Sequence, residues 1–429
     1  MEMLRVAGRR ALATILLICT CCPLSGAYSV LTHEEIVDLV WQDQLQPMLQ
    51  RRFPGATPDD LRRAHAFAYG GSLIQDMGYY PFGNKYFSDL THYVRTGDFV
   101  SALLDQSTDI NEYAFALGAL AHYASDNTGH PTINQVVAIS FPKLRKKYGH
   151  FVTYEDDHSA HIRTEFGFDM VQVAKNRYSS DRYHDFIGFE IAKPLLERAF
   201  QQTYNVPLSD VIQDEDLAFG TFRRAVSKVI PEMTRVALLN RNAEVVRDTP
   251  NLNKKEFLYR LSRTQYDKQW GKGYRRPGIG ARILATILKI FPKFGPFKTL
   301  DFQVPTTQTE DMYIRSINQT IDDYRQLLNQ ERNRHLQIAN LDFDTGRPSK
   351  KGEYSLADKT YARLLDDLEK ENFTAMTPEL QQDILGFYQT PESPKSKQDQ
   401  KDWHKTQEQL AKLKQIKPST SVSGDSHQP

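Results

Sequence analysis

The stretch Tyr113–Pro131, YAFALGALAHYASDNTGHP, decides how the chain is read. From Tyr113 to Ala121 every residue is apolar or small, the pattern of a helix buried on all sides. His122, Asp126 and His130 then follow at intervals of four. Residues four apart share one face of a helix, so His122 and Asp126 point the same way. Gly129 and Pro131 predict that the helix, read over 110–127, closes near His130, whose imidazole still reaches the same side. Imidazole and carboxylate together suit a borderline divalent metal such as zinc where no thiolate is at hand. A buried apolar helix is a rigid stem, and rigid elements hold ligands better than loops do.

Outward from that stretch, the pairing recurs. His161 and Glu165 in HSAHIRTEF are also four apart. One such pair is what a helix-surface ion pair also looks like, and two in one chain weigh more. His33 follows Thr32, Asp76 sits in GSLIQDMGYYPFG, and His92 in SDLTHYVRTGDF. Of the 12 histidines, eight fall between His33 and His161. Taken singly, His33 reads as a first-turn helix residue, Asp76 as a helix-end residue and His92 as a satisfied buried histidine. Their crowding into one third of the chain points to a shared site.

The rest of the chain reads as helix. Thr32-His-Glu-Glu35 has the form of a capping box before Ile36, Val37, Leu39 and Val40. Thr57-Pro58-Asp59-Asp60 is a second start, with proline at the first helical position, leading toward Asp76. Helical spacing also covers 156–178, 186–203, 209–240, 308–338 and 355–371, and Thr377-Pro378-Glu379 opens a short last helix. Only 150–154 and 299–304 look extended. The polar composition from 389 onward predicts a mostly disordered tail.

Residues 1–27 read as an export signal: Arg5, Arg9 and Arg10, a short apolar run from Ala11 to Ile18, then Ser25-Gly26-Ala27. Cleavage there starts the mature chain at Tyr28 and removes all three cysteines, Cys19, Cys21 and Cys22. It also removes three Arg and one Glu, taking the net charge from +1 to −1. The expected location is periplasmic or secreted. A charge so near zero lacks the basic surplus of a protein that coats DNA. Tyr274–Lys298 is a basic amphipathic stretch that suits a bilayer interface or the protein's own core.

The order His33, Asp76, His92, His122-x-x-x-Asp126, His130 and His161-x-x-x-Glu165 resembles the zinc-dependent phospholipase C family, relatives of the S1/P1 nucleases. The resemblance covers about residues 28–180. It implies an all-α fold with three zinc ions in a cleft, and the helical spacing beyond it predicts a helical C-terminal region. The expected layout is a signal over 1–27, a phospholipase C-like domain over 28–245, a helical extension over 246–388 and the tail over 389–429. Carried over by position, the resemblance gives Asp76, His92, His122 and Asp126 to the first zinc. It gives the amine and carbonyl of Tyr28, with His33 and a bridging Asp126, to the second, and His130, His161 and Glu165 to the third.

The implied catalytic residues are Asp76 and Asp126, and the implied reaction is phosphodiester hydrolysis by a metal-activated hydroxide. Three features depart from the family pattern: Tyr28 stands where a tryptophan is usual, Asp126 and His130 are closely spaced, and His150 and His158 lie before His161. Either could replace His161 as a ligand. Three functions follow. The first is a phospholipase C on phospholipid or a membrane surface. The second is a single-strand nuclease, for which Tyr79, Tyr80, Phe82 and Tyr93 are stacking candidates. The third is a metal-stabilised helical binding protein without turnover.

Overall fold

The computed structural model describes residues 29–174, 188–230, 302–389 and 397–418. Helix α1 (Val30–Val40) runs through a π-helical turn (Trp41–Leu45) into α2 (Gln46–Arg52), and α3 (Pro58–Gly71) returns. A 3-10 turn (Ile74–Tyr79) leads to α4 (Lys85–Tyr93), α5 (Thr96–Asp105), the long α6 (Ile110–Ser140) and α7 (Pro142–Tyr148). Next come α8 (His158–Ala174), α9 (Lys193–Tyr204), α10 (Leu208–Val211) and α11 (Glu215–Arg224). Helix α12 (Thr307–Arg332) precedes a small antiparallel hairpin, β1 (Leu341–Asp342) and β2 (Arg347–Pro348), in which Leu341 pairs with Pro348. Helices α13 (Ser355–Lys370), α14 (Pro378–Phe387) and α15 (Lys397–Gln415) follow. The fold is all-α.

Local chemistry sets several of these boundaries. The Thr57 side chain accepts from the Asp60 N–H, and the Asp60 carboxylate accepts from the Thr57 N–H, with Pro58 at the first helical position of α3. Thr32 does not act as the cap expected of it. Helix α1 starts at Val30, and Asp169 of α8 accepts both the Leu31 N–H (3.1 Å) and the Thr32 hydroxyl (2.8 Å). A carboxylate distant in sequence thus ties down the start of α1.

The central α6 carries the architecture. Asp109 caps it by accepting from the Asn111 and Glu112 N–H groups. It does not close near His130 but passes Pro131 and reaches Ser140. Pro131 forfeits one hydrogen bond, and the residues beyond it, Ile133, Val136 and Val137, are fully buried at helical spacing and hold the helix on course. Helices α3 and α12 both pack on α6. A Cβ on Gly118 would stand 2.1 Å from the Ala68 carbonyl oxygen, and one on Gly71 only 1.9 Å from that of Phe115. The two backbones therefore touch, which only glycine allows.

Neither expected strand forms among the described residues of 150–154 and 299–304. Each region is tied to a helix through its backbone instead, from the Val152 N–H to the Asn134 carbonyl and from the Gln303 N–H to the Arg163 carbonyl. The tail expected to be disordered from 389 contains α15. Its Leu410 and Leu413 are buried, Lys405 and Gln409 bond Asp366, and Lys412 bonds Glu369 of α13. The polar composition of α15 is that of a helix with one narrow apolar stripe. One apolar core joins α1 to α15. The signal segment with Tyr28, and the basic stretch Tyr274–Lys298, lie outside the described residues. No helix among the described residues is long and apolar enough to cross a membrane.

Candidate metal centre

The side chains singled out by spacing come from five elements. His33 is on α1, Asp76 in the 3-10 turn, His92 on α4, His122, Asp126 and His130 on α6, and His161 and Glu165 on α8. None is more than 5% exposed. Asp126 lies between four imidazoles. Its Oδ1 is 3.5 Å from His33 Nε2, and its Oδ2 is 3.4 Å from His92 Nε2, 3.1 Å from His122 Nε2 and 3.6 Å from His130 Nε2. Asp76 Oδ1 is 3.3 Å from His92 Nε2. Two triples, His33/Asp76/His122 and His92/His122/Asp126, bring ligand atoms within 4.8 Å of one another.

The backbone fixes which nitrogen each ring offers. His92 Nδ1 is 2.8 Å from the Ser88 carbonyl and His122 Nδ1 is 2.9 Å from the Ser72 carbonyl. A carbonyl only accepts, so both Nδ1 atoms carry the hydrogen and both Nε2 lone pairs face Asp126. His161 is turned the other way. Its Nε2 donates to the Val152 carbonyl at 2.6 Å, leaving Nδ1 at 3.4 Å from Glu165 Oε1. An outer N–H tied to a carbonyl is the support that metal-ligating histidines commonly have. Ser72 directly follows Gly71, so the glycine contact of α3 with α6 places the carbonyl that orients His122.

The donor set fits zinc. His92 Nε2, His122 Nε2, Asp76 Oδ1, both Asp126 oxygens and both His130 nitrogens are buried without a hydrogen-bond partner. Each such group costs about 1–3 kcal/mol unless something satisfies it. Ligands bound tetrahedrally at about 2.0–2.1 Å stand about 3.3 Å apart. The nitrogen–oxygen separations from 3.1 to 3.6 Å straddle that spacing.

The electrostatics point the same way. Burial favours the neutral form of His33 and lowers its pKa to about 3, helped by His122. Burial also lowers that of His161 to about 4. At His92 burial is more than offset by the Asp126 and Asp76 carboxylates, which raise it to about 10. Burial works against the charged form of Asp126, but His122, His130 and His92 outweigh it and hold the carboxyl well below its usual range. Burial raises Asp76 and lifts Glu165 far above its ordinary value. A proton on His92 and a divalent cation compete for one lone pair, so metal binding here releases protons.

The residues implied for a third ion are arranged differently. The His161 ring lies 6.4 Å from the His130 ring. His130 Nε2 instead meets Asp344 Oδ1 at 3.2 Å. Asp344 escapes a reading of the sequence: it lies far along the chain, in the turn LDFDTG, with no ligand at helical spacing beside it. His150 is exposed and meets Arg145. His158 packs edge-on against Tyr154, at a centroid distance of 4.2 Å. Tyr28, the remaining implied ligand, lies outside the described residues.

These features define an all-helical protein with a buried centre of histidine and carboxylate donors suited to divalent metal. Residues 32–213 match the family model described as zinc dependent phospholipase C, so this part of the chain is similar to that family. The match contains every candidate side-chain ligand from His33 to Glu165. Neither a curated protein nor a solved structure matches the chain. The match supports a zinc-dependent hydrolase of the phospholipase C type.

Proposed function

We propose that the protein is an exported phospholipase C that hydrolyses phospholipids to diacylglycerol and a phosphorylated head group. The observation that carries the reading is the convergence of the His92 and His122 Nε2 lone pairs on Asp126, with both Nδ1–H groups held by backbone carbonyls. Asp76, His92, His122 and Asp126 would hold one zinc. Tyr28 and His33 would hold a second, with Asp126 shared between them, and His130, His161 and Glu165 a third. Bound zinc supplies Lewis-acid polarisation of the phosphoryl group and acidifies water. Asp126 divides its oxygens between His33 on one side and three histidines on the other, which suits a bridging role. Asp76 would orient the attacking water from beside His92.

A single-strand nuclease needs exposed rings for bases to stack on. Of the four aromatic candidates, Tyr79, Tyr80 and Tyr93 are buried and only Phe82, at 57%, is exposed. That favours lipid over nucleic acid.

The test is product analysis of the zinc-loaded chain beginning at Tyr28, incubated with mixed phospholipid micelles. Diacylglycerol that appears without chelator and disappears with it is the expected result. If no head group yields diacylglycerol, the phospholipase reading falls. Cleavage of single-stranded nucleic acid would then favour the nuclease, and chelator-induced unfolding without any hydrolysis the binding protein.

A further inference from the structure

The hairpin between α12 and α13 carries a carboxylate into the centre from outside the family match over 32–213. Asp344 is buried, and its two oxygens have separate tasks. Oδ2 accepts from the Tyr93 hydroxyl at 2.8 Å and from the Tyr354 hydroxyl at 2.5 Å. Oδ1 faces His130 Nε2 at 3.2 Å. The surrounding backbone is equally fixed. The Phe343 N–H donates to the His92 carbonyl at 3.0 Å, and Asn134 Nδ2 donates to the Asp344 carbonyl at 2.9 Å. The Phe343 ring lies 5.2 Å from that of His92 and 6.0 Å from that of His122. Gly346, at φ +66°, lets the turn press on α6, where a Cβ would stand 2.9 Å from the Asn127 carbonyl oxygen.

We infer that Asp344 is a metal ligand, joining His130 on its cation, so that the C-terminal hairpin completes the centre. The inference rests on the zinc reading above. A carboxylate with one oxygen pinned by two phenols and the other aimed at an imidazole nitrogen has the support expected of a ligating group. His130 is 1% exposed and makes no hydrogen bond through either ring nitrogen. Its Nε2 has Asp344 Oδ1 at 3.2 Å and Asp126 Oδ2 at 3.6 Å. One N–H can point at only one of these carboxylates, whereas a cation bound at Nε2 also takes Asp344 Oδ1. The His130–Asp344 separation of 3.2 Å matches that of two tetrahedral ligands, about 3.3 Å apart.

The experiment compares wild type with Asp344→Asn and Asp344→Cys, all beginning at Tyr28. The three native cysteines precede that residue, so the only thiol is the introduced one. Zinc per chain and the rate of zinc release to chelator are measured, with circular dichroism to check folding. Asparagine keeps an acceptor for both tyrosines. Asp344→Asn is expected to lose one zinc equivalent or to release one ion about 10–100-fold faster. The cobalt-loaded Asp344→Cys chain is expected to show a thiolate-to-cobalt charge-transfer band that wild type lacks. If Asp344→Asn does not fold, the cobalt spectrum decides. Unchanged zinc content and release, or no charge-transfer band in a folded cobalt-loaded variant, overturns the assignment of Asp344 while leaving the zinc reading intact. A wild type that binds no zinc sinks the zinc reading itself.

Discussion

Asp126 brings two oxygens into a space walled by imidazoles, with His33 on one and His92, His122 and His130 on the other. An amide there offers one weak donor and turns an NH2 toward the cations. Asp126→Asn should therefore lose at least one zinc equivalent, and turnover should fall about 100-fold or more. Full zinc and full turnover in that variant would remove Asp126 from the site. The N-terminus gives a second expectation. Asp169 fixes the Leu31 and Thr32 positions just before His33, and the proposed ligand Tyr28 must offer a free amine. A chain that keeps a few residues ahead of Tyr28 should bind less zinc and turn over more slowly. Equal activity in the extended chain would exclude Tyr28. At this scale the sequence was informative wherever ligands repeat at four-residue spacing, as at His122/Asp126 and His161/Glu165. Asp344 was hidden because no local period marks it.

The contact of α3 with α6 is the element on which the centre leans. Gly118 meets the Ala68 carbonyl, and the next turn of the same contact sets the Ser72 carbonyl against His122. Gly118→Ala places a methyl 2.1 Å from a backbone oxygen that cannot swing away. The variant should lose about 1–3 kcal/mol of stability in urea unfolding. It should also hold zinc more weakly, because His122 loses its orienting carbonyl. Unaltered stability and zinc affinity would show that the two backbones part without consequence. Helices α3, α6, α12, α13 and α14 were legible from caps and apolar spacing. The passage of α6 beyond Pro131 was not, since burial of Ile133, Val136 and Val137 outweighs one lost hydrogen bond. Helix α15 was hidden by its polar composition.

For the molecule as a whole, the C-terminal helices share charge and core with the matched region. Asp383 of α14 accepts from the Tyr361 hydroxyl of α13 at 3.0 Å, and Arg95 and Asp98 of the matched region act on it electrostatically. Burial outweighs Arg95 and the tyrosine and raises the pKa of this carboxyl from 3.8 to about 6. The folded state then holds the proton more tightly than the unfolded state does. Stability falls as pH rises from about 4 to about 6 and stays lower above that. The full effect is about 3 kcal/mol, since raising a pKa by one is worth about 1.4 kcal/mol. Asp383→Asn does not titrate, so its stability relative to wild type should rise by up to that amount between pH 4 and 7. Parallel urea-midpoint profiles for the two proteins would show that Asp383 is not a buried titrating group.

The sequence alone determined the all-α class, the central helix and the row of donors along it, because helical periodicity and capping are local and can be read in order along the chain. It also carried the resemblance to a zinc-dependent family. Only the tertiary structure decided which backbone carbonyls fix the tautomers of His92 and His122 and that Asp169 starts α1. Only there does a hairpin far along the chain set Asp344 against His130. Such contacts depend on which surfaces pack, and packing between distant segments leaves no period in the sequence.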